Sequence, residues 1–363
     1  MTGRETVCYH MTPHACSQNT VSLCEENRQG LAFIPGQKKG ITMNYIRVRD
    51  LEKRFVIREK RQEGALLRAK KTVRALQEVS FDVEKGELLG YIGPNGAGKS
   101  TTVKILSGIL TPDGGEVTVG GRVPWKERRE HVRHIGVVFG QRTQLWWDVP
   151  IRDSYDLLKD VYRIPAGDYR ERLSELTEAL QLGDLLRTPL RQLSLGQRMR
   201  AELCGSLLHR PELLFLDEPT IGLDAVSKLA LREFLQWENR QQGTTILLTT
   251  HDMEDIVALC SRVMVLGHGR KLFDGALPDL LGRYDTLRTV TVNYEEPEAV
   301  PELPASVPVA RDGKNLTISY SPQEYATAEL IARLQAAGTV RELTVQPQNI
   351  DRLVAAMYRE MDL

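Results

Sequence analysis

Short apolar runs alternate with longer helical stripes along most of this chain, and that alternation predicts its architecture. Val79-Ser80-Phe81-Asp82-Val83 carries apolar side chains at every second position, the period of a half-buried strand. The turn Glu84-Lys85-Gly86 ends it, and the apolar run Leu88-Leu89-Gly90-Tyr91-Ile92 follows. Tyr45-Ile46-Arg47-Val48-Arg49 is the first patterned strand, and Thr111-Pro112-Asp113-Gly114-Gly115 is a turn leading into Glu116-Val117-Thr118-Val119. From about Asp153 to Arg210 the period becomes helical, with one stripe at Leu157, Leu158, Val161 and Tyr162 and another at Leu173, Leu176, Leu180 and Leu182. Strands then return at 213–216, 245–249 and 263–266, separated by helical patterns at 226–241 and 253–260. Near-continuous apolar strands alternating with helices predict an α/β fold with a parallel sheet covered on both faces.

Beyond Tyr284 the character changes. Alternating strands at 287–292 and 316–320, amphipathic helices at 325–337 and 350–361, a strand at 340–345 and a Pro- and Glu-rich loop at 295–308 predict a small α+β domain over 284–363. Residues 1–42 are polar and aperiodic, the composition of a disordered tail. Met43 stands just before the first strand, so a translated tail and a start at Met43 both stay open as readings.

Composition narrows the function classes. The chain has 48 basic and 48 acidic residues, a net charge of zero, which argues against a dominant nucleic-acid-binding surface. No run approaches the roughly 18 apolar residues of a membrane helix, and residues 1–40 lack the apolar core of a secretory signal. Cys8, Cys16 and Cys24 fit no zinc spacing, and Cys204 and Cys260 lie in apolar helical surroundings as small buried hydrophobes. Nothing demands disulfides, so a reducing cytoplasm is the expected compartment.

The chemistry is concentrated in Gly93-Pro94-Asn95-Gly96-Ala97-Gly98-Lys99-Ser100-Thr101. This segment fits G-x-x-x-x-G-K-[ST] between a strand and a helix, the context of a phosphate-binding P-loop. Its glycines let successive N–H groups point at an anion, and the following helix adds its positive end. Lys99 is expected to reach the β and γ phosphates of a nucleotide, and Ser100 to hold Mg²⁺. Leu213-Leu214-Phe215-Leu216-Asp217-Glu218 is an apolar strand ending in two carboxylates, at the sheet edge where α/β proteins bind ligands. Asp217 is placed to sit near Mg²⁺, and Glu218 to polarise an attacking water. Leu193-Ser194-Leu195-Gly196-Gln197 opens an amphipathic helix, with Ser194 as a good N-cap and Gly196 allowing a phosphate close to the helix end. Gln141 follows the apolar run 135–139, Gly222-Leu223-Asp224 follows the acid pair, and His251 follows the strand 245–249.

In this order the motifs resemble the ATP-binding subunits of ABC transporters, over about Tyr45 to Gly282, and most of all the ATPases paired with ABC-2-type permeases, including sodium- and drug-efflux relatives. The resemblance implies a P-loop NTPase core over 43–283 with an antiparallel β subdomain and an α-helical subdomain at about 142–210. It implies that residues 93–101 wrap the phosphates of ATP. Gln141 contacts Mg²⁺ and the water and links the site to the membrane partner. Ser194, Gly196 and Gln197 bind the γ-phosphate held by a second copy, and Asp224 spans the dimer interface. Glu218 is the general base, and His251 holds the γ-phosphate and the water. Phe55 is the candidate for stacking on adenine, although the stretch 56–74 is longer than the family's usual turn. Leu195 stands where the family has glycine, and its side chain is expected to point away from the nucleotide.

Two features lie outside these motifs. The stretch Lys53 to Arg74 is strongly basic, read either as a solvated insertion or as a contact for anionic lipid or a membrane partner. Trp146-Trp147 reads either as an interface or as internal packing. The expected function is ATP hydrolysis at the cytoplasmic face of a membrane, driving export through a separate permease. An importer ATPase and a soluble ABC ATPase acting on ribosomes or DNA are the alternatives.

Overall fold

The computed structural model describes residues 44–58, 70–140, 142–284, 287–295, 308–347, 357 and 359–360. The tail over 1–42, Gln141 and most of the expected helix at 350–361 lie outside the described residues.

A six-stranded sheet forms the centre, in the order β5 (Ile135–Phe139), β6 (Leu213–Asp217), β7 (Thr245–Thr249), β3 (Leu88–Ile92), β8 (Arg262–Gly267) and β9 (Arg270–Ala276). The first five run parallel, and β9 closes the edge antiparallel to β8. All residues of β3, β6 and β7 are buried, which is why they read as unbroken apolar runs. Strand alternation then divides their side chains between two cores. Leu88, Ile92, Leu214, Leu216, Ile246 and Leu248 face a core shared with the helices. Leu89, Tyr91, Leu213, Phe215 and Leu247 face a second core. That second core is closed by a three-stranded antiparallel sheet in the order β2 (Lys70–Glu84), β1 (Asn44–Arg58) and β4 (Gly114–Val119), and by helix α1 (Lys99–Leu106). Each fully buried aliphatic or aromatic side chain contributes about 1.5–3 kcal/mol.

The first core carries the helical subdomain: α3 (Ile151–Tyr162), α4 (Ala166–Ala179) and α5 (Leu195–Leu207), after the short α2 (Arg128–His131). It is joined to α6 (Ala225–Gln242) by a buried ion pair, in which Arg172 of α4 donates from one nitrogen to both oxygens of Glu238 at 2.9 and 3.0 Å. Both side chains are buried, and the Thr244 hydroxyl donates to Glu238 at 2.9 Å. Removing Glu238 takes away the buried carboxylate and leaves Arg172 only the partly exposed Glu175, at 2.9 Å. Glu238→Ala is therefore expected to lower unfolding free energy by about 3–5 kcal/mol, read from urea denaturation; a loss under about 1 kcal/mol would show that water reaches Arg172.

Helix α7 (Met253–Leu259) lies between β7 and β8, and α8 (Leu277–Tyr284) follows β9. The C-terminal strands form a separate antiparallel sheet in the order β11 (Val309–Asp312), β12 (Asn315–Tyr320), β10 (Arg288–Tyr294) and β13 (Val340–Pro347). Helix α9 (Thr327–Ala336) packs Leu330 and Leu334 on Val290, Val292, Leu316 and Ile318, a core of its own. Among the described residues no helix is long and apolar enough to cross a membrane.

Candidate active site

The loop between β3 and α1 curls because its glycines occupy backbone conformations closed to other residues. Gly98 caps α1 at φ 111°, where a Cβ would lie 2.6 Å from the Ala75 carbonyl oxygen. Gly93, at φ 154°, passes so close to Leu266 that a Cβ would fall 2.2 Å from its carbonyl oxygen. The curl turns the Lys99 side chain back over the loop, where it donates to the carbonyls of Gly93 at 2.6 Å and Pro94 at 3.2 Å. Only 6% of Lys99 is exposed. Burial pulls its amine below the ordinary lysine value, against the opposing pull of Glu218 and Asp217. An anion bound in the loop would add to the compensation that Glu218 and Asp217 give this buried cation.

The two acids end β6 side by side and do different things. Asp217 Oδ1 accepts from Ser100 Oγ at 3.1 Å and from Thr249 Oγ1 at 2.6 Å. Glu218 turns the other way because its backbone is left-handed, φ 57°. Such a conformation costs on the order of 1–3 kcal/mol, and its surroundings hold it. Its N–H donates to the Thr249 carbonyl at 2.9 Å, and a Cβ on Gly140 would lie 2.2 Å from its carbonyl oxygen. The Glu218 carboxylate stands 3.8 Å from the Lys99 ammonium. His251 lies 2.5 Å from it through Nδ1, and since a carboxylate only accepts, Nδ1 carries the proton. The imidazole is 58% exposed and lines the cleft.

Lys99, Ser100, Asp217, Glu218 and His251 line one cavity of about 550 Å³, together with residues 94–98 and Thr101 of the loop, Lys104 and Ile109 beyond it, and Ala75, Phe139, Gly140, Arg142 and Ile221. The P-loop, Ser100, Asp217, Glu218 and His251 are thus brought together as the sequence predicts. Phe55 does not line the cavity. It sits in β1 opposite Val73, with the Lys53 ammonium 5.6 Å from its ring centroid, and Ala75 and Ile109 supply apolar wall instead. The long stretch expected as a turn extends β1 to Arg58 and begins β2 at Lys70.

The signature residues stand outside this cavity. Ser194 caps α5 by accepting from the Gln197 N–H at 3.2 Å, and the Gln197 side chain accepts from the Ser194 N–H at 2.9 Å. This capping box uses both side chains at the helix end. Gly196 has a packing reason to be glycine: a Cβ there would lie 2.3 Å from Ser227 Oγ on α6. Leu195 leans onto Gly222, its Cδ2 2.9 Å from where a Cβ on that glycine would sit. Asp224 caps α6, accepting from the Ser227 N–H at 2.8 Å and its hydroxyl at 3.0 Å. Those bonds to Ser227 hold its carboxyl below the usual range.

The sequence offers no cue to Thr249, since a strand-end threonine is common, or to Glu202, whose acid sits in a helical stripe. Glu202 of α5 is buried and accepts from the Gln144 N–H at 3.1 Å and from the Thr143 hydroxyl. Burial pushes its carboxyl up, with those bonds working against the shift.

A strand, a P-loop, an acid pair with an imidazole beside it and a capped helix outside the cleft define a P-loop ATPase of the ABC type. Comparison with known proteins agrees. The family model described as ABC transporter matches residues 76–221. The ABC transporter ATP-binding protein NatA of Bacillus subtilis is 34% identical over 225 residues, which cover 62% of this chain and 90% of that protein. The daunorubicin resistance ATP-binding protein DrrA3 of Streptomyces coeruleorubidus is 34% identical over 277 residues, 74% of this chain and 86% of the relative. A solved ATP-binding subunit of an ABC transporter superposes with a TM-score of 0.56 at 26% identity, over 66% of this chain and 93% of that one. The chain belongs to the ABC transporter ATP-binding proteins and hydrolyses ATP.

Proposed function

We propose that two copies of this chain form the motor of an exporter, at the cytoplasmic face of a membrane and beneath a separate ABC-2-type permease. The observation that carries the reading is the separation of the two phosphate-binding elements. The P-loop cleft holds the cation, the acids and the imidazole, whereas none of the signature residues lines it. A capped helix end with no anion of its own is completed by the nucleotide of a second copy. Gln141 is assigned to the link between cleft and permease, and residues 284–363 to an accessory domain.

Within each cleft, Lys99 and the loop N–H groups hold the triphosphate. Ser100 and Asp217 fit Mg²⁺, which favours hard oxygen donors and takes one or two carboxylates beside water and phosphate. When bound, the ion neutralises charge on the phosphate oxygens. Glu218 accepts a proton from the attacking water, and His251 orients the carboxylate through Nδ1. Asp224 lies on the face that meets the partner copy.

Trp146 and Trp147 are 56% and 47% exposed, which favours an interface over internal packing. The Arg198 guanidinium lies 5.6 Å from the Trp147 ring centroid and steadies it. A cytoplasmic loop of the permease is the assigned occupant. The named drug-resistance relative supports export, and no observation favours import or a role on ribosomes or DNA. Direction is tested in vesicles carrying the permease that co-purifies with this chain. ATP-dependent uptake into inside-out vesicles is expected; ATP-driven entry in the opposite orientation would overturn export.

Sharing of the site has its own prediction. Ser194→Ala should bind ATP as the wild type does and lose turnover by about tenfold or more, the loss of one charge-assisted hydrogen bond. Mixing it with Lys99→Ala assembles one intact cleft per mixed dimer and should restore turnover above either variant alone. Turnover equal to the average of the two would contradict a shared cleft.

A further inference from the structure

The cleft contains a cation that none of the motifs assigns. Arg142 lines it, as do Phe139, Gly140, Glu218 and His251. Its guanidinium presents a planar fork suited to phosphate oxygens. Among the described residues its side chain has no hydrogen-bond or ion-pair partner. Its backbone, by contrast, is fixed from both sides. The Arg142 N–H donates to the Phe139 carbonyl at 3.0 Å, and the Gly140 N–H donates to the Asp217 carbonyl at 2.8 Å.

On the far side the anchor is Glu202. One of its oxygens accepts from the Thr143 hydroxyl and the other from the Gln144 N–H at 3.1 Å. The Gln144 side chain donates back to the Glu202 carbonyl at 3.2 Å. Glu202 is 4% exposed, and among the described residues it makes no salt bridge. A buried carboxylate without a counter-ion is costly, and this one spends both oxygens on the two residues that follow Arg142. It also belongs to α5, the helix that begins with the signature.

We infer that Arg142 is a further ligand of the terminal phosphate of ATP, and that Glu202 is the positioning residue that holds it at the cleft. The inference rests on the cleft being the nucleotide site. It also joins the helix of the signature to the nucleotide of the same chain, through Glu202, Thr143 and Arg142.

The experiment compares the affinities of a non-hydrolysable ATP analogue and of ADP in the full-length protein. Arg142→Ala is expected to weaken the analogue by about tenfold or more, the scale of one charge-assisted hydrogen bond, and to change ADP by less than about twofold. Arg142→Lys should recover part of the loss. Thr143→Val and Glu202→Ala should shift the same analogue-to-ADP ratio, and combining either with Arg142→Ala should add nothing to it. Equal effects on both nucleotides, no effect on either, or full additivity would overturn the inference. If Glu202→Ala fails to fold, Thr143→Val carries the test. A wild-type protein that binds neither nucleotide would instead remove the reading of the cleft itself.

Discussion

Lys99→Ala is expected to lose nucleotide affinity by about 10²–10⁴-fold, the cost of roughly two charge-assisted hydrogen bonds at 1.5–3 kcal/mol each. The basis is the position of the ammonium. It sits 6% exposed in the curl of the loop, and its partners are two backbone carbonyls and a carboxylate 3.8 Å away. Burial already works against its charge. Bound phosphate relieves that penalty, so the lysine gives more to the complex than to the empty protein. The fold should survive, because the substitution removes a costly buried cation and leaves the glycine-driven curl in place. Isothermal titration with ATP, alongside thermal unfolding of the empty protein, checks both halves. Unchanged affinity in a folded variant would exclude Lys99 as the phosphate cation.

Glu218→Gln is expected to bind ATP as tightly as the wild type while turnover falls by about 10²–10⁴-fold, the usual contribution of a general base. Glutamine keeps the shape and still offers an oxygen to His251 Nδ1, now 2.5 Å from the carboxylate. It cannot take a proton from water. The strained backbone at φ 57° is unaffected by this change, because Thr249 and Gly140 hold it from outside the side chain. Single-turnover hydrolysis, with binding measured separately, distinguishes lost chemistry from lost affinity. Wild-type hydrolysis would place the base elsewhere.

Much of the core of this site is legible in the chain because its chemistry is local. The P-loop needs its glycines within a few residues of Lys99, and the acids need an apolar strand before them to carry them to the sheet edge. Asp217, Glu218 and Lys99 therefore announce themselves. The signature was legible as a helix start, and the capping box of Ser194 and Gln197 bears that out. At Gly196 the sequence suggests only phosphate approach, whereas its close approach to Ser227 arises from α6, far along the chain. Leu195, which stands where the family has glycine, packs toward Gly222.

What stayed hidden depends on partners distant in sequence. Thr249 and Glu202 look ordinary until the fold sets them against Asp217 and Thr143. Arg142 follows a motif residue but belongs to no motif, and only the tight turn from Phe139 carries it to the cleft. Phe55 illustrates the reverse. An aromatic before the P-loop carries the family's expectation of stacking, yet the lengthened hairpin leaves it off the cavity wall. The edge strands β9 and β11 escaped because Arg270–Ala276 and Val309–Asp312 bury little and so show no clean alternation.

The most direct test of the shared cleft is the stoichiometry of the Glu218→Gln protein saturated with ATP and Mg²⁺. Analytical ultracentrifugation with nucleotide quantification should find a species of two chains carrying two ATP molecules, which falls apart when Ser194→Ala is added to the same chain. A single chain that stays alone at saturation, its ATP held without a partner, would contradict the account.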